Sequence, residues 1–267
     1  MTVTLRPHQQ QALAKLKDGN ILWGGVGSGK TIVALAYYEQ EQMSNADRGE
    51  VQSLIVITTA KKRDSLDWET EAAKFCISTE PRASWWGPLV VDSWNNLHKY
   101  VECENCFFVF DEQRLVGSGE WVKSFLKIAK RNNWILLTAT PGDTWLDYIP
   151  VFVANGFYRN RTQFKREHVV YSSFTKFPKV DRYLNVQKLV KLRHKILVRM
   201  PYEKQTVRHL KDAWTDYDPD LMRRVEVDLW NPFKNRPIKD VAEKFYVMRQ
   251  VTNTDPSRLD RLREILD

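Results

Sequence analysis

The chain has 267 residues, 43% of them apolar and 28% charged, with a net charge of +8 at neutral pH. That composition describes a soluble globular protein with room for one sizeable core and an extension. No apolar run approaches the roughly 18 residues of a membrane span and no signal-peptide pattern follows MTVTLRPHQQ, so the expectation is a cytoplasmic protein with no membrane partner. The three cysteines, Cys76, Cys103 and Cys106, fit a reducing compartment. Cys103 and Cys106 form C-x-x-C, but no second Cys or His pair follows at zinc spacing, so a buried structural role is expected.

The charge is uneven. Residues 1–150 carry 16 basic and 18 acidic side chains, whereas residues 151–267 carry 25 and 15. Between positions 159 and 211, 15 basic residues meet only Glu167, Asp181 and Glu203. A solvated surface usually mixes signs, so this segment points to a polyanion partner. Its aromatics (Phe164, Tyr171, Phe174, Phe177, Tyr183) suit a nucleic-acid groove or a core equally well.

In chain order, the first signal is LRPHQ, with Gln9 placed 21 residues before Lys30. A glutamine amide can accept from adenine N6 and donate to N7. Residues 20–31, NILWGGVGSGKT, satisfy the phosphate-loop pattern G-x-x-x-x-G-K-[ST]. Gly24, Gly25, Gly27 and Gly29, interspersed with Val26 and Ser28, let backbone N–H groups wrap a triphosphate, since a Cβ on these turns would hold the main chain away. Lys30 reaches the β- and γ-phosphates, the Thr31 hydroxyl ligates Mg²⁺, and the helix starting there points its positive end at the anion. Ile21, Leu22 and Trp23 read as a buried strand before the loop, and IVALAYY reads as the helix after it.

Further short apolar strands follow: LIVI at 54–57, LVV at 89–91, CFFVF at 106–110 and WILL at 134–137. Helices are expected between them, over residues 64–75 with Trp68, Ala72 and Phe75 on one face, after Val91 with Trp94, Leu97 and Val101 in register, and over residues 121–129. Short, wholly apolar strands alternating with helices indicate an α/β domain whose parallel sheet is covered on both faces. CFFVF runs into Asp111 and Glu112, two carboxylates at the strand edge where open α/β sheets bind ligands. There Asp111 can hold Mg²⁺ and Glu112 can orient the water that attacks the γ-phosphate.

The ordered series LRPHQ, GGVGSGKT, LIVITTA, VVDSW, FFVFDEQR and LLTATP resembles the motifs of the first RecA-like lobe of superfamily 2 helicases and translocases, in particular the Swi/Snf-like branch of these DEAD/DEAH-type ATPases. The resemblance covers about residues 4–145, and KLRHKILVRMPYEKQ resembles the segment that closes that lobe. It implies a RecA-like P-loop NTPase domain over residues 1–150, a mostly helical basic segment over 151–250, and a helix over 251–267 leading to a second RecA-like lobe supplied in cis or in trans. It further implies ATP and Mg²⁺ as cofactors and nucleic acid, DNA rather than RNA, as partner. Gln9 would read adenine. Lys30, Thr31, Asp111 and Glu112 would carry the chemistry, Thr58, Thr59 and Ser93 would contact the nucleic-acid backbone, and Thr138 and Thr140 would couple nucleotide state to the bound strand.

The sequence departs from the pattern at Arg114, where the family has His or Asp, and the motifs of the second lobe do not occur in these residues. The resulting expectation is a lobe that turns ATP over weakly by itself. Two alternatives stand beside it: a switch or scaffold that binds ATP and nucleic acid without useful turnover, and a P-loop small-molecule kinase.

Overall fold

The computed structural model describes residues 3–46, 51–80, 87–111, 115–173, 177–202 and 212–266. The chain divides into two compact units, Met1–Glu203 and Lys204–Asp267.

The first unit opens with helix α1 (Pro7–Leu13), strand β1 (Ile21–Trp23) and the long helix α2 (Lys30–Ala46). Strand β2 (Ser53–Thr58), helices α3 (Ala60–Asp64) and α4 (Asp67–Ala73), and strand β3 (Leu89–Ser93) follow. A 3₁₀ stretch, Trp94–Tyr100, leads to β4 (Cys106–Asp111), α5 (Glu120–Ala129) and β5 (Asn133–Thr138). After a 3₁₀ turn at Trp145–Tyr148 come α6 (Ile149–Ala154), α7 (Arg161–His168), the strands β6 (Val169–Tyr171) and β7 (Val180–Tyr183), α8 (Val186–Ile196) and β8 (Leu197–Arg199).

Six of these strands form one parallel sheet in the order β3-β2-β4-β5-β1-β8. Side chains alternate between its faces, so a strand covered on both sides must be apolar at every position. Leu54, Val56, Phe107, Val109, Ile135 and Leu137 pack with α2 and α4 on one face. On the other, Ile55, Ile57, Phe108, Phe110, Trp134 and Leu136 pack with the 3₁₀ stretch and with α5 to α8. The α/β fold with both faces covered is therefore as read from the strands.

The expected break at residue 150 is not where this unit ends. Leu197–Arg199 is a sixth strand paired to β1, and Phe152, Tyr158, Phe164, Leu189 and Ile196 lie in the same core as Phe110 and Trp134. Half of the basic segment is thus integral to the sheet domain. Two local expectations also change. The helix expected over 64–75 is shorter, Asp67–Ala73, because Leu66 takes a left-handed conformation (φ 56°) that separates it from α3, which ends at Asp64. Trp68 and Ala72 keep their buried face nonetheless. The helix expected after Val91 is 3₁₀, with Trp94 and Leu97 buried as its pattern requires.

The second unit contains α9 (Pro219–Glu226), the two-stranded ribbon β9 (Trp230–Asn231) and β10 (Arg236–Pro237), α10 (Val241–Thr254) and α11 (Pro256–Leu266). Its small core gathers Met222, Val225, Val247 and Val251. Arg236 and Glu243 close the ribbon onto α10 through a two-pronged ion pair, with Arg236 Nη2 2.5 Å from Glu243 Oε1.

Candidate nucleotide and metal site

The ends of the parallel strands set the site. Across the sheet, register pairs Ser93 with Thr58, Asp111 with Leu137, Thr138 with Trp23, and Trp23 with Arg199. These residues lie along one edge, the carboxyl end, where α/β sheets bind ligands.

Beyond Trp23 the chain turns through residues 24–29 and enters α2 at Lys30, giving the strand, loop and helix order that a phosphate cradle needs. The loop is closed by its own bonds. Ser28 Oγ donates to the Gly25 carbonyl at 2.7 Å, and Lys30 Nζ donates to the carbonyls of Gly24 (2.8 Å) and Gly25 (3.1 Å). Gly29 has a φ of +84°, and a Cβ there would strike Gln9 Nε2, so this position requires glycine on both counts. At Gly24 a Cβ would meet Ser28 Oγ and Met200. Gly25 has open space, with nothing within 4 Å of an added Cβ. Val26 is exposed, and Thr31, the second residue of α2, is half-buried.

Gln9 is buried against this loop. Its Oε1 accepts from the Arg6 amide at 2.8 Å, its Nε2 approaches the Ser28 carbonyl at 3.4 Å, and His8 Nε2 lies 3.2 Å from the same carbonyl. The structure thus brings Gln9 to the phosphate loop, with its amide engaged by the backbone. His8 also packs on Tyr202, ring centroids 5.3 Å apart. Neither Tyr202 nor Met200 was singled out from sequence. The only signal was that both lie within the segment KLRHKILVRMPYEKQ.

Asp111 ends β4, almost fully buried, and its Oδ2 accepts hydrogen bonds from Thr58 Oγ1 (3.0 Å), Lys62 Nζ (3.0 Å) and Trp68 Nε1 (3.1 Å). Trp94 Nε1 donates to the Asp111 carbonyl at 3.0 Å. Glu112 and Arg114 lie outside the described residues. Lys62 and Trp68 are functional neighbours that the motif reading passed over. The basic run Lys61, Lys62 and Arg63 after β2 was the available signal for one, and Trp68 was noted only for its helix face.

The three candidate nucleic-acid contacts separate. Thr58 is fully buried and its hydroxyl is spent on Asp111, so it supports the carboxylate instead of facing a strand of nucleic acid. Thr59 caps α3 by accepting from the Lys62 amide. Ser93 is buried beside Arg63, whose guanidinium reaches Ser93 Oγ at 3.5 Å and Asp92 at 3.6 Å. Partial burial pushes the Asp92 carboxyl up, but hydrogen bonds from Asn96, the Ser93 amide and Tyr100 outweigh it and hold the group below its ordinary range.

Thr138 sits between the two halves of the site. Its carbonyl accepts from the Gly24 amide at 3.2 Å and its hydroxyl accepts from the Thr140 amide at 3.0 Å. Thr140 itself is exposed at the rim of a groove of about 530 Å³, which Trp23, Arg193, His194 and Arg199 also line. In that groove Arg199 lies over the Trp23 ring at 5.2 Å. Among the described residues no group of three or more His, Cys, Asp or Glu is placed to hold a metal by itself, and no helix is long and apolar enough to cross a membrane.

The oxygen donors Thr31 and Asp111 are of the hard type that Mg²⁺ prefers, and Mg²⁺ is usually held by one or two protein oxygens together with phosphate and water. Gly27 and Gly29 take the left-handed conformation, and a Cβ at Gly25 or Gly27 would stand in open space at the loop's surface, so the residues present fit a magnesium nucleotide.

Solved structures with a similar fold include the Sulfolobus solfataricus SWI2/SNF2 ATPase core in complex with dsDNA, with a TM-score of 0.56 and 18% identity over 94% of this chain and 58% of that one. The Sulfolobus solfataricus SWI2/SNF2 ATPase core domain gives 0.54 and 17% over 94% and 57%. The chain has a RecA-like fold. It spans little more than half the length of the ATPase cores it matches. The Pyrococcus furiosus Hef helicase domain aligns over 63% of this chain and 41% of its own, with a TM-score of 0.39 and 17% identity. Neither a protein-family model nor a curated protein matches the sequence.

Proposed function

We propose that the chain is the ATP-binding lobe of a nucleic-acid-dependent ATPase of helicase or duplex-translocase type, working in the cytoplasm. The observation that carries this reading is the joint placement of the Gly24–Thr31 loop and Asp111 along one sheet edge, with Thr138, bonded to Gly24, ending the strand between them. The fold shared with an ATPase core supports it, as does the complex of that core with dsDNA.

In this reading the loop amides and Lys30 cradle the phosphates, and Thr31 and Asp111 hold Mg²⁺. The bound ion would neutralise charge on the phosphate oxygens. Glu112, the next residue past β4, orients the attacking water. Thr138 ties movement of the loop to the Thr140 segment, and duplex DNA lies against the basic surface of α7 and α8. A second RecA-like lobe, in cis or in trans, supplies the arginine that neutralises charge on the transferred phosphoryl, a contribution of about 10³ to 10⁵ in rate.

Calorimetric titration with an ATP analogue and steady-state ATPase assays with and without duplex DNA test the proposal. Lys30→Ala removes a charge-assisted contact and should weaken nucleotide binding by about 1.5 to 3 kcal/mol. Glu112→Gln should bind normally and lose whatever turnover exists. Equal affinity of Lys30→Ala and wild type would remove the phosphate-loop assignment. DNA and ATP binding with no turnover, even when the second lobe is added, would instead identify a switch or scaffold.

A further inference from the structure

The short helix α3 ties two places together that the proposed function uses separately. It follows β2, whose end was expected to meet nucleic acid, and it carries Lys61, Lys62 and Arg63 in succession. Lys61 is exposed, and Arg63 is bonded to Asp64 and Asp92. Lys62 turns inward to Asp111, the expected metal carboxylate, with 28% of its side chain still exposed against 2% for Asp111.

An ammonium ion at 3.0 Å neutralises the carboxylate and repels a divalent cation at the same group. Magnesium and Lys62 therefore compete for Asp111. The lysine can leave without stranding the carboxylate, because Thr58 and Trp68 continue to donate to the same Oδ2. Its flexible four-carbon stem and partial exposure give it a second destination, a phosphate approaching α3 beside Lys61.

We infer that Lys62 is an internal counter-ion of Asp111 that a nucleic-acid phosphate draws away, so that polyanion binding at α3 and divalent-cation binding at Asp111 strengthen one another. This inference rests on the nucleotide and nucleic-acid reading above and adds a physical link between the two ligands. Linkage makes it reciprocal: with ADP bound throughout, the factor by which DNA raises metal affinity must equal the factor by which metal raises DNA affinity.

The test is a titration of Mn²⁺ in the presence of ADP, read by electron paramagnetic resonance of the free ion, with and without a short duplex DNA at low salt. In the wild-type chain DNA should tighten Mn²⁺ binding about tenfold. Lys62→Met should bind Mn²⁺ more tightly than wild type without DNA, and DNA should add nothing. Lys62→Arg, which keeps the charge, should retain the DNA effect. The reciprocal measurement uses the unaltered chain alone: at fixed, saturating ADP, added Mn²⁺ should raise its DNA affinity by the same factor. Metal affinity that is unchanged or weaker in Lys62→Met, or a wild-type chain whose two ligands bind independently, overturns the inference while leaving the nucleotide site standing. Failure of the wild-type chain to bind Mn²⁺ with ADP at all overturns both.

Discussion

Two glycines of the phosphate loop separate what the fold needs from what a ligand needs. Gly29 has a φ of +84°, and a Cβ there runs into Gln9 Nε2. Alanine in the left-handed region costs about 1 to 2 kcal/mol. Displacing the Gln9 amide also disturbs its bonds to Ser28 and Arg6, each worth about 1 kcal/mol. Gly29→Ala should therefore destabilise the first unit by about 2 to 4 kcal/mol, a large share of the roughly 5 to 15 kcal/mol that holds a domain together. Gly25 is exposed, and an added Cβ meets nothing within 4 Å, so Gly25→Ala should stay within about 0.5 kcal/mol of wild type. In the phosphate reading that open space belongs to the nucleotide, and a methyl group there holds the backbone amides off the anion. Urea unfolding followed by circular dichroism, paired with calorimetric titration of ADP, measures both quantities. Gly29→Ala should lose stability, and Gly25→Ala should lose affinity alone. Unchanged ADP affinity in Gly25→Ala would refute the cradle, and wild-type stability in Gly29→Ala would refute the geometry assigned to Gln9.

Three other outcomes follow from the structure. Among the described residues Arg159, Arg166, Lys179, Lys191, Lys195 and Arg199 are exposed; if these six meet phosphates, the log–log salt slope for duplex DNA should be about −5, and a flat response would show that they only solvate the surface. Glu243 is held down to about 2, chiefly by the Lys239 amide and then by Arg236 against partial burial. Because its folded value lies below its unfolded one, its contribution to the second unit is complete above the ordinary glutamate range and is lost as pH falls from about 4.5 towards 2, so Glu243→Gln should flatten the acid limb of a denaturation series. His168 is fully buried, paired with Tyr158 Oη at 2.8 Å and the Leu184 carbonyl at 2.9 Å; His168→Ala removes both bonds and opens a cavity, which should cost about 2 to 4 kcal/mol in urea unfolding.

The core was legible because burial on both faces leaves β2, β4 and β5 apolar at every position between their polar ends, a pattern no solvated strand has. The loop between β1 and α2 was legible because its glycines and Lys30 are close in sequence. Strand β8 was not, since three residues are too few to show a period and their partner β1 is far away in the chain. The break between α3 and α4 depends on one left-handed leucine, Leu66, a conformation that no propensity assigns to that residue type. The burial of Thr58 could have been deduced: Leu54, Val56 and Thr58 share a face by alternation, and that face meets α2 and α4. The motif reading placed it with nucleic acid because it considered the residue type and not the parity of its position.

Strand order explains why LLTATP belongs to the site although it contributes no obvious catalytic group. Adjacent strands lie about 4.8 Å apart, so the ends of β4 and β1, separated by β5, are about 10 Å apart. A phosphate held by the loop and an ion held by Asp111 must meet in the space above the end of β5. Thr138 occupies that end, bonded to Gly24 on one side and followed by Thr140 on the other. Any change in spacing between loop and carboxylate as phosphate bonds break is therefore felt first by β5. In the proposed function Thr140, exposed at the rim of the groove lined by Arg193 and Arg199, would carry that displacement to the basic surface. The proposed coupling through Thr138 and Thr140 would therefore require no long relay, because Thr138 ends the strand that lies between the loop and Asp111.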